Sequence, residues 1–319
     1  MEASNLNSIL YSIIIPHYNI PDLLSRCLRS IPERDDIQVI VVDDNSPGNE
    51  NYRNQIKELS RKNVEFVVTK DGLGAGHARN VGLQYAKGTW IVFCDSDDFF
   101  DIDFPILLDE FSCDNHDVVY FNIKCCDCYN TAHVYNNVNR LKKYYETGNE
   151  LYIRICYTEP WGKFIKRSLI IDNGIDFQET KAHNDLLFSV KVGLLAKSIK
   201  VIDKILYWYV IREGSIGNQS GNESFVKLCD RALAWYETQR FLNEKGIRTS
   251  FYLPVRPCVT ALKQNFITYL RMLIYAHKNG MKTYRIIIDT IRIAYYHTLS
   301  NFEAITFESM ISKESLYVN

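Results

Sequence analysis

The sequence contains no long apolar run and no excess of either charge. No uninterrupted apolar stretch reaches the ~18 residues that a helix needs to cross a bilayer, so we predict no transmembrane segment. The N-terminus carries neither the basic nor the apolar segment of a secretory signal, which predicts a cytoplasmic protein. A net charge of −1 gives no indication of a nucleic-acid partner.

The nine cysteines lack the paired spacing of a structural zinc site. The densest group is Cys125, Cys126 and Cys128, and no second pair of ligands follows nearby. We interpret this group as a thiol-rich strand end, with zinc binding as the weaker alternative. Reduced thiols agree with a cytoplasmic location.

The first hundred residues alternate between strand and helix patterns. Short apolar runs at 11–15, 39–42, 64–68 and 90–94 predict buried strands, and helices are predicted from residue 21, over 50–62 and over 77–87. This alternation predicts an α/β fold in which helices flank a parallel sheet. Ligands bind such sheets at the carboxyl ends of the strands.

The pattern changes after residue 104. Further strands are predicted at 118–121, 132–135 and 201–210, with helices at 137–157, 168–171 and 185–195. The chain is helical in pattern from 224 onward, and a Gly/Ser/Asn-rich stretch precedes this region. We therefore predict a catalytic domain over 1–220, with halves at 11–104 and 105–220, and a helical C-terminal region over 221–319.

Three carboxylates follow the fourth predicted strand, at Asp95, Asp97 and Asp98. Side chains alternate along an extended chain, so Asp95 and Asp97 are expected to point the same way. Paired carboxylates suit a hard cation such as Mg²⁺ or Mn²⁺, which often shares its oxygen ligands with substrate phosphates. The alternative is an acidic turn without a metal, because Asp is common in turns.

Polar residues also follow the other predicted strands. The segment Pro16-His17-Tyr18-Asn19 follows the first strand, and Asp43-Asp44 follows the second. The third strand is followed by a glycine-rich loop at 72–76 and by Arg79, one turn into the next helix. Rings can stack on a base, carboxylates can accept from ribose hydroxyls, and an arginine can bind phosphate. Taken singly, the segments after the first two strands are more typical of ordinary turns, and Arg79 could simply cover a face of its helix.

Together these segments resemble the N-terminal half of glycosyltransferase family 2. The likeness covers residues 11–104, through SIIIPHYN, VIVVDDNS and GLGAGHARNVGLQYAKGTWIVFCDSDD, in order and spacing. It implies a GT-A-like nucleotide-sugar-binding fold, inverting sugar transfer and a Mn²⁺ or Mg²⁺ ion. It also implies roles for single residues. The nucleotide and donor would contact Pro16, Tyr18, Asn19, Asp43, Asp44, Arg79 and Asp95. The metal would bind Asp97, with Asp95 beside it.

The same resemblance places the general base near residue 185. The family commonly has Glu-Asp followed by apolar residues here, whereas this chain has Asn184-Asp185. Asp185 matches the position of the base that deprotonates the acceptor hydroxyl. His183 and Glu179 are alternative bases. Asp185 could instead serve only as a helix N-cap, a position that Asp favours.

Two further segments match the family beside the acceptor and the diphosphate. In EPWGKFIKRSLI, Trp161 could stack on a sugar and Lys163 could meet phosphate, although Trp161 is equally typical of a core position. His183 is placed on the same acceptor side. YWYVIREGSI resembles a stretch in which a His or Arg approaches the diphosphate, and Arg212 and Ser215 occupy that place. A surface loop without this role is the alternative.

The C-terminal region is basic and rich in apolar residues. Residues 255–298 hold seven Lys/Arg and one acid, Asp289. Such helices suit the surface of an anionic bilayer, which would place the protein at the inner face of the cytoplasmic membrane. Packing on the catalytic domain with a solvated basic face is the alternative.

The sequence therefore predicts an inverting glycosyltransferase. Its donor would be a nucleotide-diphosphate sugar, expected from the resemblance to be a UDP-sugar, and its acceptor a hydroxyl of a glycan or lipid-linked glycan in surface polysaccharide synthesis. Two alternatives stay open at this point. They are a nucleotidyltransferase and a non-catalytic nucleotide- or glycan-binding protein on the same fold.

Overall fold

The protein forms one mixed sheet flanked by helices, followed by a helical C-terminal region. We describe residues 8–48, 50–128, 134–135, 141–212 and 223–296 of a computed structural model. Within these residues the strands are β1 Tyr11–His17, β2 Ile37–Asp43, β3 Val64–Val68, β4 Trp90–Phe93, β5 Phe99–Phe100, β6 Val118–Asp127, β7 Val134–Tyr135, β8 Lys163–Lys166 and β9 Ile199–Ile211.

The helices of the first part are α1 Pro21–Arg29, α2 Glu50–Glu58, α3 Ala75–Tyr85, α4 Phe104–Phe111, α5 Lys142–Thr147, α6 Glu150–Cys156, α7 Arg167–Asp172 and α8 Leu186–Leu195. The C-terminal region contains α9 Phe225–Glu244, α10 Val255–Gln264, α11 Phe266–Lys278 and α12 Thr283–Tyr296.

The first half of the sheet is parallel, as the alternating pattern predicts. β1 pairs in parallel with β2 and β4, and β2 with β3. β1, β2 and β4 are buried along their whole length, which explains their nearly continuous apolar runs. The strand predicted over 11–15 is too short, since β1 continues through Pro16 to His17. Beyond Ile14, β1 pairs only with β2, so the missing N–H of Pro16 lies on its unpaired side.

The second half of the sheet is mixed. β8 pairs antiparallel with both β4 and β6, β6 pairs in parallel with β9, and β5 pairs antiparallel with β9. β8 was not predicted, because its four residues follow a turn and are too few to show a period. Of the predicted strand at 132–135, residues 134–135 form β7 and the rest lies outside the described residues.

The single helix predicted over 137–157 is instead two helices within the described residues 141–157. Gly148 follows α5 with φ of 66°, a left-handed conformation that ends a helix, and its N–H donates to the carbonyl of Tyr144 at 2.7 Å. Asn149 then caps α6 by accepting from the N–H of Tyr152 at 3.0 Å.

Two apolar cores organise the chain. The larger one surrounds the sheet. The smaller one joins α9–α12 to residues of the first part, including Ile155 of α6 and Leu186 and Val190 of α8. The C-terminal helices therefore pack directly on the helix that begins beside Asp185. The predicted boundary near 220 lies outside the described residues. Among those described, no helix has both the length and the apolar character required to span a membrane.

Candidate active site

The acidic turn after β4 is held in place by β9. The carboxylate of Asp98 is buried and accepts from the Tyr207 hydroxyl at 2.6 Å and from the Val210 N–H at 2.7 Å. The same hydroxyl accepts from the N–H of Asp95 at 2.9 Å. Burial, with Asp97 and Asp95 nearby, raises the pKa of Asp98 well above its ordinary value. Asp98 thus anchors the turn, and Asp95 and Asp97 are left at the surface of the site.

Asp95 and Asp97 each pair with one arginine. Arg79 Nη2 donates to Asp95 Oδ1 at 2.5 Å, and Arg212 Nε donates to Asp97 Oδ2 at 2.6 Å. The two carboxylates remain partly exposed, at 28% and 21% of their side-chain areas. The backbone carbonyl of Asp97 also accepts from Arg26 Nη2 at 2.5 Å. The turn therefore brings together three of the predicted donor-site residues and the predicted metal ligand.

Asp95 and Asp97 together offer oxygen ligands of the kind that would suit a hard divalent cation. Asp95 and Asp97 supply anionic oxygens, and each uses only one of its two oxygens in the arginine pairs. In the described part of the chain, no group of three potential metal-ligating side chains converges. A cation here would complete its shell with phosphate oxygens and water, which is the usual situation for Mg²⁺.

Asp43 and Asp44, at the end of β2, are buried and fully hydrogen-bonded. Asp43 accepts from the N–H of Ser46 at 2.8 Å and from the hydroxyl of Tyr52. Asp44 accepts from the N–H of Gly74 at 2.7 Å, which fixes the glycine-rich loop to the end of β2. The bond to Gly74 thus ties the loop that leads into α3, the helix of Arg79, to the end of β2.

The end of β1 presents a ring, an amide and a buried imidazole. Tyr18 is 58% exposed, and Asn19 adopts φ of 51° with its N–H donating to the Ser46 hydroxyl at 2.8 Å. His17 is buried and stacks on Tyr52, with ring centroids 6.1 Å apart. Within the described residues neither ring nitrogen of His17 has a partner. Burial lowers the pKa of His17 to about 4, so its imidazole is neutral at pH 7.

Arg79 connects the donor side to the loop before α8. Its side chain is 6% exposed, and its guanidinium donates to Asp95 and also to Asn184 Oδ1, the latter at 3.0 Å. The close approach depends on Gly76, because a Cβ there would lie 2.2 Å from the carbonyl oxygen of Gln178. Asn184, the position that departs from the family pattern, is thus a direct partner of Arg79, which the resemblance predicts to contact the donor.

Asp185 occupies the N-cap position of α8, but its side chain makes no cap hydrogen bond. Burial raises the pKa of Asp185 to about 6, and the opposing effect of nearby Arg79 is smaller. Asp95 also lies close enough to raise this pKa. The capping interpretation therefore does not account for the carboxylate, which is left available beside the Arg79–Asp95 pair.

The two alternative bases have environments that weaken them as bases. Burial, with Arg231 and Arg256 nearby, lowers the pKa of His183 to about 3, and its ring lies 5.5 Å from that of Trp235. Glu179 accepts a 2.9 Å hydrogen bond from His77, which lowers the pKa of Glu179. Of the three candidates, Asp185 has the pKa best suited to accept a proton near neutrality.

Trp161 and Lys163 take part in the core rather than projecting from it. Trp161 is 6% exposed and stacks between Tyr207 and Tyr209, at centroid distances of 5.0 and 5.8 Å. Lys163 is 1% exposed, and its ammonium donates to the carbonyls of Tyr157 at 2.7 Å and Glu159 at 2.5 Å. The structure therefore gives Lys163 backbone partners in place of a phosphate. Ser215 lies outside the described residues.

Four contributors were not assigned a role from sequence: His17, Arg26, Tyr52 and Tyr207. His17 is visible as part of the segment after β1, but only the structure shows its burial. Tyr207 acts on the β4 turn across 109 residues of chain, and Arg26 acts across 71. No local pattern encodes a pairing over such separations.

The fold and its strand-end cluster define an α/β protein with an acidic, arginine-paired site. A family model described as Glycosyl transferase family 2 matches residues 12–174. The chain belongs to this family, which confirms the resemblance found in the sequence.

Comparison with individual proteins agrees with this assignment. The poly(ribitol-phosphate) beta-N-acetylglucosaminyltransferase TarS of Staphylococcus aureus is 31% identical over 222 residues, covering 64% of this chain and 36% of TarS. The chain thus spans about a third of the length of this relative.

Solved structures show the same fold. The crystal structure of S. aureus TarS residues 1–349 in complex with UDP-GlcNAc has a TM-score of 0.58 at 22% identity, covering 93% of this chain and 90% of that chain. A mannosyltransferase from Pyrobaculum calidifontis, in complex with GDP-Man and Mn²⁺, has a TM-score of 0.52 at 16% identity, covering 94% and 84%. The GT-A-like sheet and the helical C-terminal region are therefore confirmed.

Proposed function

We propose that the protein transfers a sugar, with inversion, from a nucleotide-diphosphate donor to a hydroxyl of a glycan acceptor. The observation that carries the proposal is the position of Asp185. Its carboxylate has a raised pKa and no capping bond, beside an arginine that also binds a donor-side carboxylate. A base and a charge-stabilising group are thus placed in one site.

In this reaction Asp185 acts on the acceptor, and the two arginines act on the donor. Asp185 accepts the proton of the acceptor hydroxyl as its oxygen attacks the anomeric carbon, which becomes oxocarbenium-like as the bond to the diphosphate breaks. Arg79 and Arg212 stabilise the negative charge that develops on the leaving diphosphate. In this proposal Pro16, Tyr18, Asn19, Asp43 and Asp44 enclose the nucleoside.

Asp95 and Asp97 would hold Mn²⁺ or Mg²⁺. A divalent cation supplies Lewis-acid stabilisation of the leaving diphosphate. Binding it would redistribute the contacts of the two carboxylates with Arg79 and Arg212, since each carboxylate already has one oxygen in an ion pair. Without the cation, the two arginines offset the repulsion between the two negatively charged carboxylates.

We propose a UDP-sugar as donor and a surface glycan, polymeric or lipid-linked, as acceptor. TarS, 31% identical over the aligned residues, is named for transfer of N-acetylglucosamine to poly(ribitol-phosphate), and its residues 1–349 were solved with UDP-GlcNAc. In this proposal Trp161 and Lys163 have an indirect role in acceptor binding. Trp161 packs against Tyr207 and Tyr209 and so stabilises the positions of these residues. Lys163 stabilises the segment before β8 through hydrogen bonds to two backbone carbonyls.

The decisive experiment is a donor screen. UDP-, GDP- and dTDP-sugars are incubated with the purified protein, with Mn²⁺ or with EDTA, and the released nucleotide is identified. We expect UDP release from one sugar nucleotide, and loss of that release with EDTA. Pyrophosphate release from a nucleoside triphosphate would indicate a nucleotidyltransferase instead, and UDP binding without turnover on any acceptor would indicate a binding protein.

We also propose peripheral contact with the inner face of the cytoplasmic membrane through α11 and α12. Two apolar rows are exposed on these helices: Phe266, Ile267, Leu270 and Ile274 on α11, and Tyr284, Ile287, Ile288, Ile291 and Tyr295 on α12. Asp289 is buried and paired with Arg292, so in the described part of 255–298 the exposed charge is basic. Apolar rows flanked by cations suit an anionic bilayer surface.

Vesicle flotation tests this contact. Ile274→Gln/Ile291→Gln should reduce binding to vesicles containing phosphatidylglycerol several-fold, because each change removes exposed apolar area from the rows. The matched control is Ile102→Gln/Ile106→Gln, two exposed isoleucines of the catalytic part. Equal binding by both variants and the unchanged protein would exclude the contact.

A further inference from the structure

A basic cavity lies in the C-terminal helical region, apart from the strand ends. Its volume is about 390 Å³, within the range of small-ligand sites. The C-terminal half of α9, the segment between α9 and α10, and the turn between α11 and α12 form its walls. Sheet residues do not line it, so the cavity is separate from the candidate active site.

The lining of this cavity is strongly cationic. Arg240, Arg248, Lys282 and Arg285 line it, and within the described part of the chain the lining includes no carboxylate. Arg240 is partly compensated by Glu237, at 3.3 Å. Lys282 and Arg285 lie close in sequence at one rim of the cavity. Cations that share a rim repel each other, and a bound anion would relieve this repulsion.

The wall that carries these cations is fixed by hydrogen bonds. Tyr252 donates its N–H to the buried Asp289 carboxylate at 2.7 Å, and its hydroxyl accepts from the N–H of Lys282 at 3.1 Å. Tyr236 donates its hydroxyl to the carbonyl of Gly280 at 3.1 Å. The turn before α12 is therefore held in one position, and a ligand would meet a preformed site.

The start of α12 adds to the positive potential. The helix has 14 residues and begins at Thr283, directly after Lys282. Its N-terminal end carries partial positive charge, which favours an anion at the same rim of the cavity.

The exposed apolar row of α12 begins at this rim. Tyr284 adjoins Arg285 in sequence, and Ile287, Ile288 and Ile291 continue the row along the exposed side of the helix. An anionic group bound in the cavity would therefore lie next to an apolar surface. A membrane lipid joins these two chemistries in one molecule.

We propose that the cavity binds the phosphate and glycerol of an anionic lipid headgroup, and so fixes the orientation of the protein on the membrane. Arg248, Lys282 and Arg285 contact the phosphate, and Asn243 and Thr249 contact the glycerol hydroxyls. The inference rests on the proposed membrane contact and gives it a specific lipid site.

The test combines vesicle flotation with solution binding, on the full chain. Arg248→Gln/Arg285→Gln removes two cavity cations, and Lys245→Gln/Lys278→Gln removes two exposed cations that do not line the cavity. We expect the cavity variant to lose about tenfold in affinity for phosphatidylglycerol vesicles, and the control variant about twofold, with donor hydrolysis and circular dichroism unchanged in both. Calorimetry with glycerol 1-phosphate should show binding by the unchanged protein and not by the cavity variant.

Each contrary result has a distinct meaning. Equal loss in the two variants would show a diffuse electrostatic attraction and overturn the specific site. Binding of inorganic phosphate as tightly as glycerol 1-phosphate, without vesicle binding, would make the cavity a site for free anions and overturn the lipid assignment. If Ile274→Gln/Ile291→Gln abolishes flotation while Arg248→Gln/Arg285→Gln does not, the membrane contact stands and the lipid site fails.

Discussion

At the scale of single residues, the raised pKa of Asp185 affects both the stability of the fold and the proposed proton transfer. Its carboxylate lies in surroundings that favour the neutral form, and burial outweighs the attraction of Arg79. Because its pKa is raised, ionising this carboxylate costs the folded protein free energy. The same raised pKa makes the ionised carboxylate a better proton acceptor.

We predict that Asp185→Asn abolishes transfer and stabilises the fold. The unfolded carboxyl ionises near pH 3.8 and the folded one near 6, so the native protein loses stability as pH rises between these values. The variant lacks this loss and should be more stable by about 1–3 kcal/mol at pH 7.5, with no difference below pH 3.8. Urea unfolding at several pH values measures the effect.

Asp176→Asn, at an exposed aspartate, is the control for this measurement and should change neither activity nor the pH dependence. In the unchanged protein, kcat/KM should fall as pH is lowered through about 6, because Asp185 then becomes protonated. If the Asp185→Asn variant retained transfer, Asp185 could not be the general base.

We also predict that Arg79→Lys weakens donor binding about 10–100-fold. An ammonium cannot span both Asp95 and Asn184, and a lost charge-assisted hydrogen bond costs about 1.5–3 kcal/mol. Calorimetry with UDP measures the change, and Arg29→Lys on the exposed side of α1 is the control. Unchanged UDP affinity would show that Arg79 has a structural role only.

At the scale of elements, the site depends on how closely α3 approaches the loop before α8. Gly76 permits this approach, as Gln178 and Asn184 both lie within 3 Å of where its Cβ would be. The sequence shows a glycine-rich loop at this place, and the natural interpretation is flexibility. The structure shows that Gly76 is needed for space, which only the position of a distant loop can reveal.

We predict that Gly76→Ala destabilises the protein by about 1–3 kcal/mol, although alanine is the better helix former. The clash is with a backbone carbonyl, which cannot rotate away as a side chain could. Gln84→Ala, at an exposed position of α3, should be neutral or slightly stabilising. Thermal unfolding of both variants tests this, and an equal Tm would show that the loop can shift at little cost.

The elements also show how far a sequence determines a site. Asp43, Asp44, Asp95 and Asp97 could be expected at one edge, because parallel strands bring their carboxyl ends together. Their roles, and the role of Arg79 in the helix that follows β3, came from the resemblance to the family. The support of that edge by β9 was not predicted, since the contacts of Tyr207 and Arg212 depend on the mixed second half of the sheet. The burial of Lys163 and Trp161 could not be predicted either, because it too depends on how the second half of the sheet is assembled.

At the scale of the whole molecule, one sheet joins the parallel first half of the α/β part to its mixed second half, and α8 joins this part to the C-terminal helices. Contacts at the donor side are therefore linked to global stability. Within the described residues, the turn after β4 is bonded to α1, α3 and β9, so a ligand that binds only the folded turn stabilises the entire chain.

We predict that Mn²⁺ and UDP together raise the Tm by about 5 °C at a concentration 100-fold above Kd, which corresponds to about 2.7 kcal/mol. Mn²⁺ or UDP alone should give a smaller shift, because phosphate oxygens would supply ligands that Asp95 and Asp97 alone do not. Asp97→Asn should remove the effect of Mn²⁺ and keep that of UDP. A full Mn²⁺ effect in this variant would place the ion elsewhere.

The stacking of Trp161 on Tyr207 has a practical consequence. The Tyr207 hydroxyl bonds both to the Asp98 carboxylate and to the Asp95 N–H, so the indole rests on the ring whose far end holds the acidic turn. A shift of that turn would alter the surroundings of the indole. Ultraviolet emission from Trp161, compared with a Trp161→Phe variant, therefore offers an intrinsic optical signal for titrating donors without a label or an acceptor.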